Sequence, residues 1–298
     1  MTKQTVFVTL MGRPNVGKST LLNALMKEKI SIVSKKPQTT RNKITGILTE
    51  SDRQYVFFDT PGMHTPKTML GRYMTKSAAG TVGDADAAVL LVEPIKNIGK
   101  TEKDIIDRFK TKKIPLILAI NKIDTVPKPE ILELIELYSQ YYDFASIIPI
   151  SALNDDGVDI LKRELDKYLA ESEEFFFPED ITTDQTERQI ICEVIREKAL
   201  RLLDDEIPHG IAVAVDTFAE DEKKNLISVN VSLYCERENH KQIIIGKNGE
   251  MIKKIGSYAR EDLEEFFGAK FFISIWVKVR ENWRDTQYVL NDIGYRDN

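Results

Sequence analysis

Gly12-Arg13-Pro14-Asn15-Val16-Gly17-Lys18-Ser19 stands between an apolar run, residues 5–11, and a helical pattern that begins at Thr20. The octapeptide matches G-x-x-x-x-G-K-[ST]. Its glycines let the backbone wrap so that successive N–H groups point at phosphate oxygens. In such a loop Lys18 reaches the β- and γ-phosphates, and the Ser19 hydroxyl is a ligand for Mg²⁺. An ordinary glycine turn is the bland alternative. A strand directly before and a helix directly after weigh against it.

Outward from this loop, short β-rich apolar runs alternate with longer helical patterns. Strands are expected at 6–10, 44–48, 55–58, 87–92, 116–120 and 147–150, and helices at 20–26, 101–109, 129–138 and 158–169. Several strands are almost wholly apolar, as they must be when helices cover both faces of a parallel sheet. The pattern predicts an α/β, doubly wound domain over residues 1–170.

Three further motifs fall just beyond predicted strands. Asn121-Lys122-Ile123-Asp124 follows strand 116–120. A carboxylate at Asp124 can accept from the N1–H and the exocyclic amine of guanine. Adenine offers neither donor there and would leave the carboxylate desolvated and unpaired. Lys122 would cover the base plane, and Ser151-Ala152-Leu153 suits a backbone contact to the guanine oxygen. Asp59-Thr60-Pro61-Gly62 follows strand 55–58; Asp59 would hold Mg²⁺ through water, and the Gly62 N–H would sense a γ-phosphate. Of Thr39 and Thr40, which lie between the loop helix and the next strand, Thr40 is taken as the residue that closes over Mg²⁺. Five elements in this order, at the carboxyl ends of strands, point to a site for GTP and GDP with Mg²⁺.

The composite resembles the translation-factor class of GTPases. Small signalling GTPases carry a water-orienting glutamine just after the D-x-x-G motif; this chain has Met63, which is not expected to act in catalysis. Asn15 matches an asparagine that helps bind K⁺ near the β/γ-phosphates in related proteins. Two readings of Asn15 stay open, a potassium ligand and a residue that only shapes the loop. The expected catalytic set is Lys18, Thr40, Gly62 and Asn15.

Composition changes at 171–189, where an acidic run, the apolar Phe175-Phe176-Phe177 and Pro178 read as a linker whose aromatics dock on a neighbouring domain. Residues 190–298 follow a different order: helix, strand, strand, short helix, helix, strand. Ile191, Ile195, Ala199 and Leu202 share one helix face. Ile227 to Cys235 alternate as a half-buried strand, and Phe271, Ile273, Ile275, Val277 and Val279 face the core from the last one. Between the two central helices lies Ile245-Gly246-Lys247-Asn248-Gly249. The span 241–260 carries five basic residues against one acidic within a chain of net charge −5. The element order and the G-x-x-G loop fit a smaller α+β KH domain of type II, whose loop lies against a sugar–phosphate chain. Ile243, Ile244, Ile245 and Ile252 would line a groove for bases. RNA contacts are expected at Ile245, Gly246, Lys247, Asn248, Gly249, Lys253 and Lys254. A merely solvated basic helix face is the alternative.

A P-loop GTPase followed by a KH domain resembles the Era family of bacterial GTPases along essentially the whole chain. The resemblance is carried by residues 12–23, Gln38-Thr39-Thr40-Arg41, Asp59–Gly62, Phe177-Pro-Glu-Asp180, Ile195-Arg-Glu-Lys198 and Trp276-Val-Lys-Val279. It implies binding near the 3′ end of 16S rRNA, a role in assembly of the 30S ribosomal subunit and rRNA processing, and peripheral association with the inner face of the cell membrane.

Other features bound the reading. The net charge argues against indiscriminate coating of nucleic acid. Cys192 and Cys235 form no C-x-x-C pair, which fits a reducing compartment and two buried thiols. No 18-residue apolar run and no signal-peptide pattern occur, so a cytoplasmic location is expected, as is a monomer. Two competing functions remain in view. A membrane-recruited signalling GTPase with a protein-adaptor domain would lack salt-sensitive RNA affinity. A metabolic kinase would need an acceptor pocket, and Asn121–Asp124 argues against it.

Overall fold

A computed structural model of the 298-residue chain describes residues 2–295 except 35, 37, 38, 64, 65, 67, 81, 82, 84, 113 and 205. Gln38 and the terminal residues 296–298 therefore lie outside the described residues. The chain divides into two compact units, Met1–Thr65 with Met74–Asp184, and Pro66–Tyr73 with Gln185–Asn298.

The elements assigned to the first half are β1 (Lys3–Met11), α1 (Lys18–Met26), β2 (Ile44–Glu50), β3 (Arg53–Asp59), α2 (Met69–Gly80), β4 (Ala87–Val92), α3 (Lys100–Phe109), β5 (Leu116–Ile120), α4 (Lys128–Tyr141), β6 (Ser146–Pro149), α5 (Val158–Leu165) and β7 (Ala170–Ser172). The sheet runs β2-β3-β1-β4-β5-β6, with β7 paired to β1. All pairs from β3 to β6 are parallel, and β2 and β7 run antiparallel to their neighbours. Side chains alternate across β4: Val89 and Leu91 enter one core layer with Leu21, Leu22 and Leu161, while Leu90 and Val92 enter the other with Ile105, Phe109 and Leu134. This two-sided burial is why β4 reads as an unbroken apolar run. The register sets Leu10 opposite Asp59, Met11 opposite Leu90, Val92 opposite Ile120 and Ile120 opposite Pro149. The carboxyl ends of five strands are thereby level, and the loops that leave them share one edge.

The stretch 171–189 is more structured than a plain linker. Glu171 and Ser172 belong to β7, and the Phe176 ring meets Phe7 edge-on at 5.0 Å. The Gln54 side-chain amide donates to the Phe177 carbonyl and accepts the Phe177 N–H, and the Ile47 N–H donates to the Thr182 carbonyl. The aromatics thus pack within the first unit.

The second half comprises α6 (Glu187–Leu202), β8 (Ala212–Asp221), β9 (Leu226–Cys235), α7 (Glu238–Ile245), α8 (Glu250–Phe267), β10 (Lys270–Val279) and α9 (Gln287–Ile293). Thr186 and Gln189 form a reciprocal capping box that starts α6 two residues before the end of the expected linker. β9 is central, antiparallel to β8 and parallel to β10, and β10 is an edge strand. Ile195 and Ala199 of α6, Ile255, Ala259 and Leu263 of α8, and Val229 and Val231 of β9 build the core. Cys235 is buried there, whereas Cys192 is only half-buried, so the expectation of two buried thiols holds for one of them. Among the described residues no helix is long and apolar enough to cross a membrane.

Candidate functional site

The phosphate loop closes by local geometry. Gly17 has φ +102°, and a Cβ built there would come within 2.2 Å of Asn121 Nδ2, so no other residue fits between the loop and that side chain. Lys18 is buried and donates to the carbonyls of Gly12 at 3.3 Å and Arg13 at 3.0 Å. Burial pulls its ammonium down to about 8, against the opposing attraction of the Asp59 carboxylate. A triphosphate laid across the loop would supply the negative charge that this cation lacks. Arg13 is ion-paired with the buried Glu102, Pro14 packs against Gly62, Asn15 is exposed with φ +66°, and Val16 is sunk in the core.

Three oxygen-bearing side chains expected around Mg²⁺ converge. Ser19 Oγ lies 2.9 Å from Thr40 Oγ1 and donates to Asp59 Oδ2 at 2.7 Å; Thr40 donates to the same oxygen at 3.4 Å. Thr39 turns away and donates to the Lys36 carbonyl at 2.7 Å. Burial pushes the Asp59 carboxyl above its usual range, while Lys18 and the hydroxyls of Ser19, Ser31 and Thr40 pull it down. Asp59 Oδ1 is buried with no hydrogen-bond partner among the described residues. An unsatisfied carboxylate oxygen beside two hydroxyls is an all-oxygen donor set suited to a hard divalent cation that keeps some of its waters. The residues fit Mg²⁺.

Beyond Asp59, Thr60 donates to the Leu10 carbonyl at 2.8 Å, and Pro61 is buried. The Met63 N–H donates to the Gly12 carbonyl at 3.1 Å, and its side chain is 6% exposed among Met11, Leu90 and Ile98. Met63 is therefore an anchor for the backbone at this turn.

The base-recognition loops are wired to the phosphate loop. Asn121 donates to the Val16 carbonyl at 2.8 Å and accepts from the Ala152 N–H at 3.0 Å. Lys122, at φ +63°, donates to the Asn15 carbonyl at 2.8 Å and pairs with Glu93 at 2.5 Å. Ser151 Oγ donates to Asp124 Oδ1 at 2.5 Å, which fixes the carboxylate while the Asp124 side chain stays exposed. Ile123 is half-buried, and Leu153 is 78% exposed.

Sequence reasoning missed three supporting residues. Ser31 donates to Asp59 at 3.0 Å, and Asn23 holds Ser31 in place by accepting its N–H at 2.8 Å and donating to its carbonyl at 2.8 Å. Glu93 was legible in principle, because it directly follows β4 on the same sheet edge as the other motifs.

In the second unit the G-x-x-G loop joins α7 to α8. Gly246 has φ +74°, and a Cβ there would strike Met251 at 2.8 Å, so the loop can turn only with glycine. Lys247 and Asn248 at its tip are exposed, as are Lys253 and Lys254 on α8; Gly249 caps the start of α8. The expected isoleucine groove needs correction. Ile244 is fully buried in the core, Ile245 and Ile252 are half-buried, and Ile243 alone is exposed, at 50%. One helical turn cannot present three consecutive side chains to one side.

A phosphate loop, an oxygen-lined cation site and an Asn-Lys-x-Asp loop on one sheet edge define a P-loop GTPase, here followed by a KH domain. A family model described as 50S ribosome-binding GTPase matches residues 7–122, and a KH domain model matches residues 206–284. GTPase Era of Clostridium botulinum is 50% identical over 290 residues, 97% of each chain. Its counterpart in Clostridium kluyveri is 48% identical over 290 residues, 97% of this chain and 98% of that one. The chain belongs to the Era family of GTPases. Era in complex with MgGDPNP and nucleotides 1506–1542 of 16S ribosomal RNA has a similar structure, with a TM-score of 0.94 and 36% identity over 98% of this chain and 99% of that one. A variant of Aquifex aeolicus Era bound to GDP·AlF₄⁻ gives 0.93 and 35% over the same shares.

Proposed function

We propose that this protein is a GTP-hydrolysing switch that binds 16S rRNA near its 3′ end and assists assembly of the 30S subunit and rRNA processing. The observation that carries the reading is the presence, in one chain, of a wired guanine-nucleotide site and a G-x-x-G loop whose exposed tip is Lys247-Asn248. Lys18 and the loop N–H groups bind phosphate, Asp124 reads the base, and Thr40 and Gly62 report on the γ-phosphate. Ser19, Thr40 and Asp59 would hold Mg²⁺, which when bound neutralises charge on the β- and γ-phosphates. Asn15, exposed within the loop, either helps to hold a K⁺ ion near the β- and γ-phosphates or only shapes the loop. The domains are taken as 1–170 and 190–298 with the segment between them as connector. A monomer in the cytoplasm, with peripheral contact at the inner face of the membrane, completes the reading.

The test changes Lys247 and Asn248 together to Asp. Two negative charges then sit where the RNA backbone lies, while the glycines keep the loop shape. Affinity for a single-stranded 16S 3′-terminal oligonucleotide should fall at least ~10-fold, about 1.4 kcal/mol, with intrinsic GTP hydrolysis nearly unchanged. Wild-type protein that binds the oligonucleotide no better than the variant would remove this loop from RNA recognition.

A further inference from the structure

Helix α3 carries a charge where its pattern calls for an apolar side chain. Glu102, Ile105, Ile106 and Phe109 recur at i, i+3, i+4 and i+7, and all four are buried. Ile105, Ile106 and Phe109 belong to the core layer that also holds Met63, Ile98 and Tyr138, and Glu102 is 1% exposed. A carboxylate so placed is costly unless it is paired. Among the described residues its paired cation is Arg13, whose Nε contacts Glu102 Oε1. The carboxylate turns back over the first turn of α3, where a Cβ on Gly99 would come within 2.5 Å of Oε2. Peptide N–H groups at a helix start favour negative charge. They explain why the carboxylate is tolerated, but not why an arginine of the phosphate loop reaches it. Tyr138 of α4 senses both charges: burial raises its hydroxyl above the usual range, Glu102 adds to the rise and Arg13 opposes it.

The backbone around Arg13 touches both halves of the phosphate site. The carbonyls of Gly12 and Arg13 accept from Lys18 at 3.3 and 3.0 Å. The Gly12 carbonyl also accepts the Met63 N–H at 3.1 Å, and a Cβ on Gly62 would come within 2.6 Å of the Pro14 nitrogen. Residues 12–14 are thus wedged between the ammonium of Lys18 and the turn at Gly62. Arg13 ties that wedge to α3.

We infer that Glu102 is a positioning residue for the γ-phosphate half of the site: through Arg13 it sets where residues 12–14 stand, and with them the spacing of Lys18 and the Gly62 turn. The inference rests on the reading of Lys18 and Gly62 given above and names the residue that stands behind them. An apolar pair in place of a buried ion pair is often neutral or stabilising for the fold, so stability by itself does not call for these two charges.

The test uses full-length Glu102→Gln, Arg13→Gln, the two combined, and the apolar pair Arg13→Met with Glu102→Leu. In each, kcat for GTP hydrolysis should fall about tenfold or more, since a misplacement of about 1 Å can cost on the order of 100-fold. Affinity for a non-hydrolysable GTP analogue should fall more than affinity for GDP, which lacks the γ-phosphate. The combined glutamine variant should be no slower than the slower single one, because both remove the same contact. Glu102→Asp, which keeps the charge, should recover part of the rate. The apolar pair should melt no lower than wild type and still be slow, so the result does not depend on whether Glu102→Gln folds well. An apolar pair that hydrolyses GTP at the wild-type rate would make Glu102 a packing residue only. Losses of GTP and GDP affinity that run in parallel across the variants would overturn the proposal in the same way. Lys18→Ala is measured alongside: if it binds GTP as wild type does, the reading of the phosphate site fails and this inference with it. If it abolishes binding while Glu102→Gln keeps wild-type kcat, the positioning role alone is overturned.

Discussion

Asn121 donates through Nδ2 to the Val16 carbonyl at 2.8 Å, tying the base-recognition loop to the phosphate loop across 105 residues. Its Oδ1 accepts the Ala152 N–H at 3.0 Å, so one amide fixes three loops at once. Asn121→Ala would leave two buried backbone groups unpaired, each costing roughly 1–3 kcal/mol. GTP affinity should fall about 10- to 100-fold, and thermal unfolding should occur at lower temperature. Titration with a fluorescent GTP analogue would show it; unchanged affinity would mean that the latch is incidental.

Asp124 is exposed, with one carboxylate oxygen held by Ser151. Asp124→Asn should therefore lose GTP and gain xanthosine triphosphate, whose base has a carbonyl in place of the guanine amine. Competition between the two nucleotides reads this directly, and a mutant that still prefers GTP would refute the role.

Met63 occupies the position of the water-orienting glutamine in signalling GTPases, yet its side chain is packed among Met11, Leu90 and Ile98. Met63→Ala should cost about 2–5 kcal/mol of stability while leaving substantial hydrolysis at low temperature. Chelation of Mg²⁺ should stop turnover. Rates compared in KCl and NaCl at equal ionic strength then decide the reading of Asn15, since equal rates would exclude a potassium ligand there.

Ile243 and Ile244 are neighbours in sequence with opposite surroundings, half-exposed and fully buried. Ile244→Ala should destabilise the protein by about 2–5 kcal/mol, whereas Ile243→Ala should change stability within about 0.5 kcal/mol. Denaturant unfolding of the two variants separates them. If Ile243→Ala lowers RNA affinity, this side chain belongs to the base-binding surface.

Much of the first half was legible because its signals are local. An apolar run two-sidedly buried, such as β4, must be apolar throughout, and the loops that follow such strands carry their motifs as contiguous residues. β7 was not legible: Glu171 and Ser172 pair with Gln4 and Lys3 through backbone groups, and an acidic side chain says nothing of that. Nor was the fate of Met63, because an exposed lid and a buried anchor are the same residue until the core around it is assembled. The isoleucine run 243–245 misled because composition gives apolarity but not direction.

The sequence by itself determined that a phosphate loop, a carboxylate for guanine and a glycine-bounded loop between two helices exist, since each is written in adjacent residues under strict backbone constraints. Only the tertiary structure decided that Ser31 joins Ser19 and Thr40 on the Asp59 carboxylate, that Asn121 and Lys122 hold the phosphate loop, and that Phe272 and Trp276 are exposed on the last strand. Those facts depend on strand register and on which face each helix covers, and register is set by the packing of the whole core, not by any short stretch of chain.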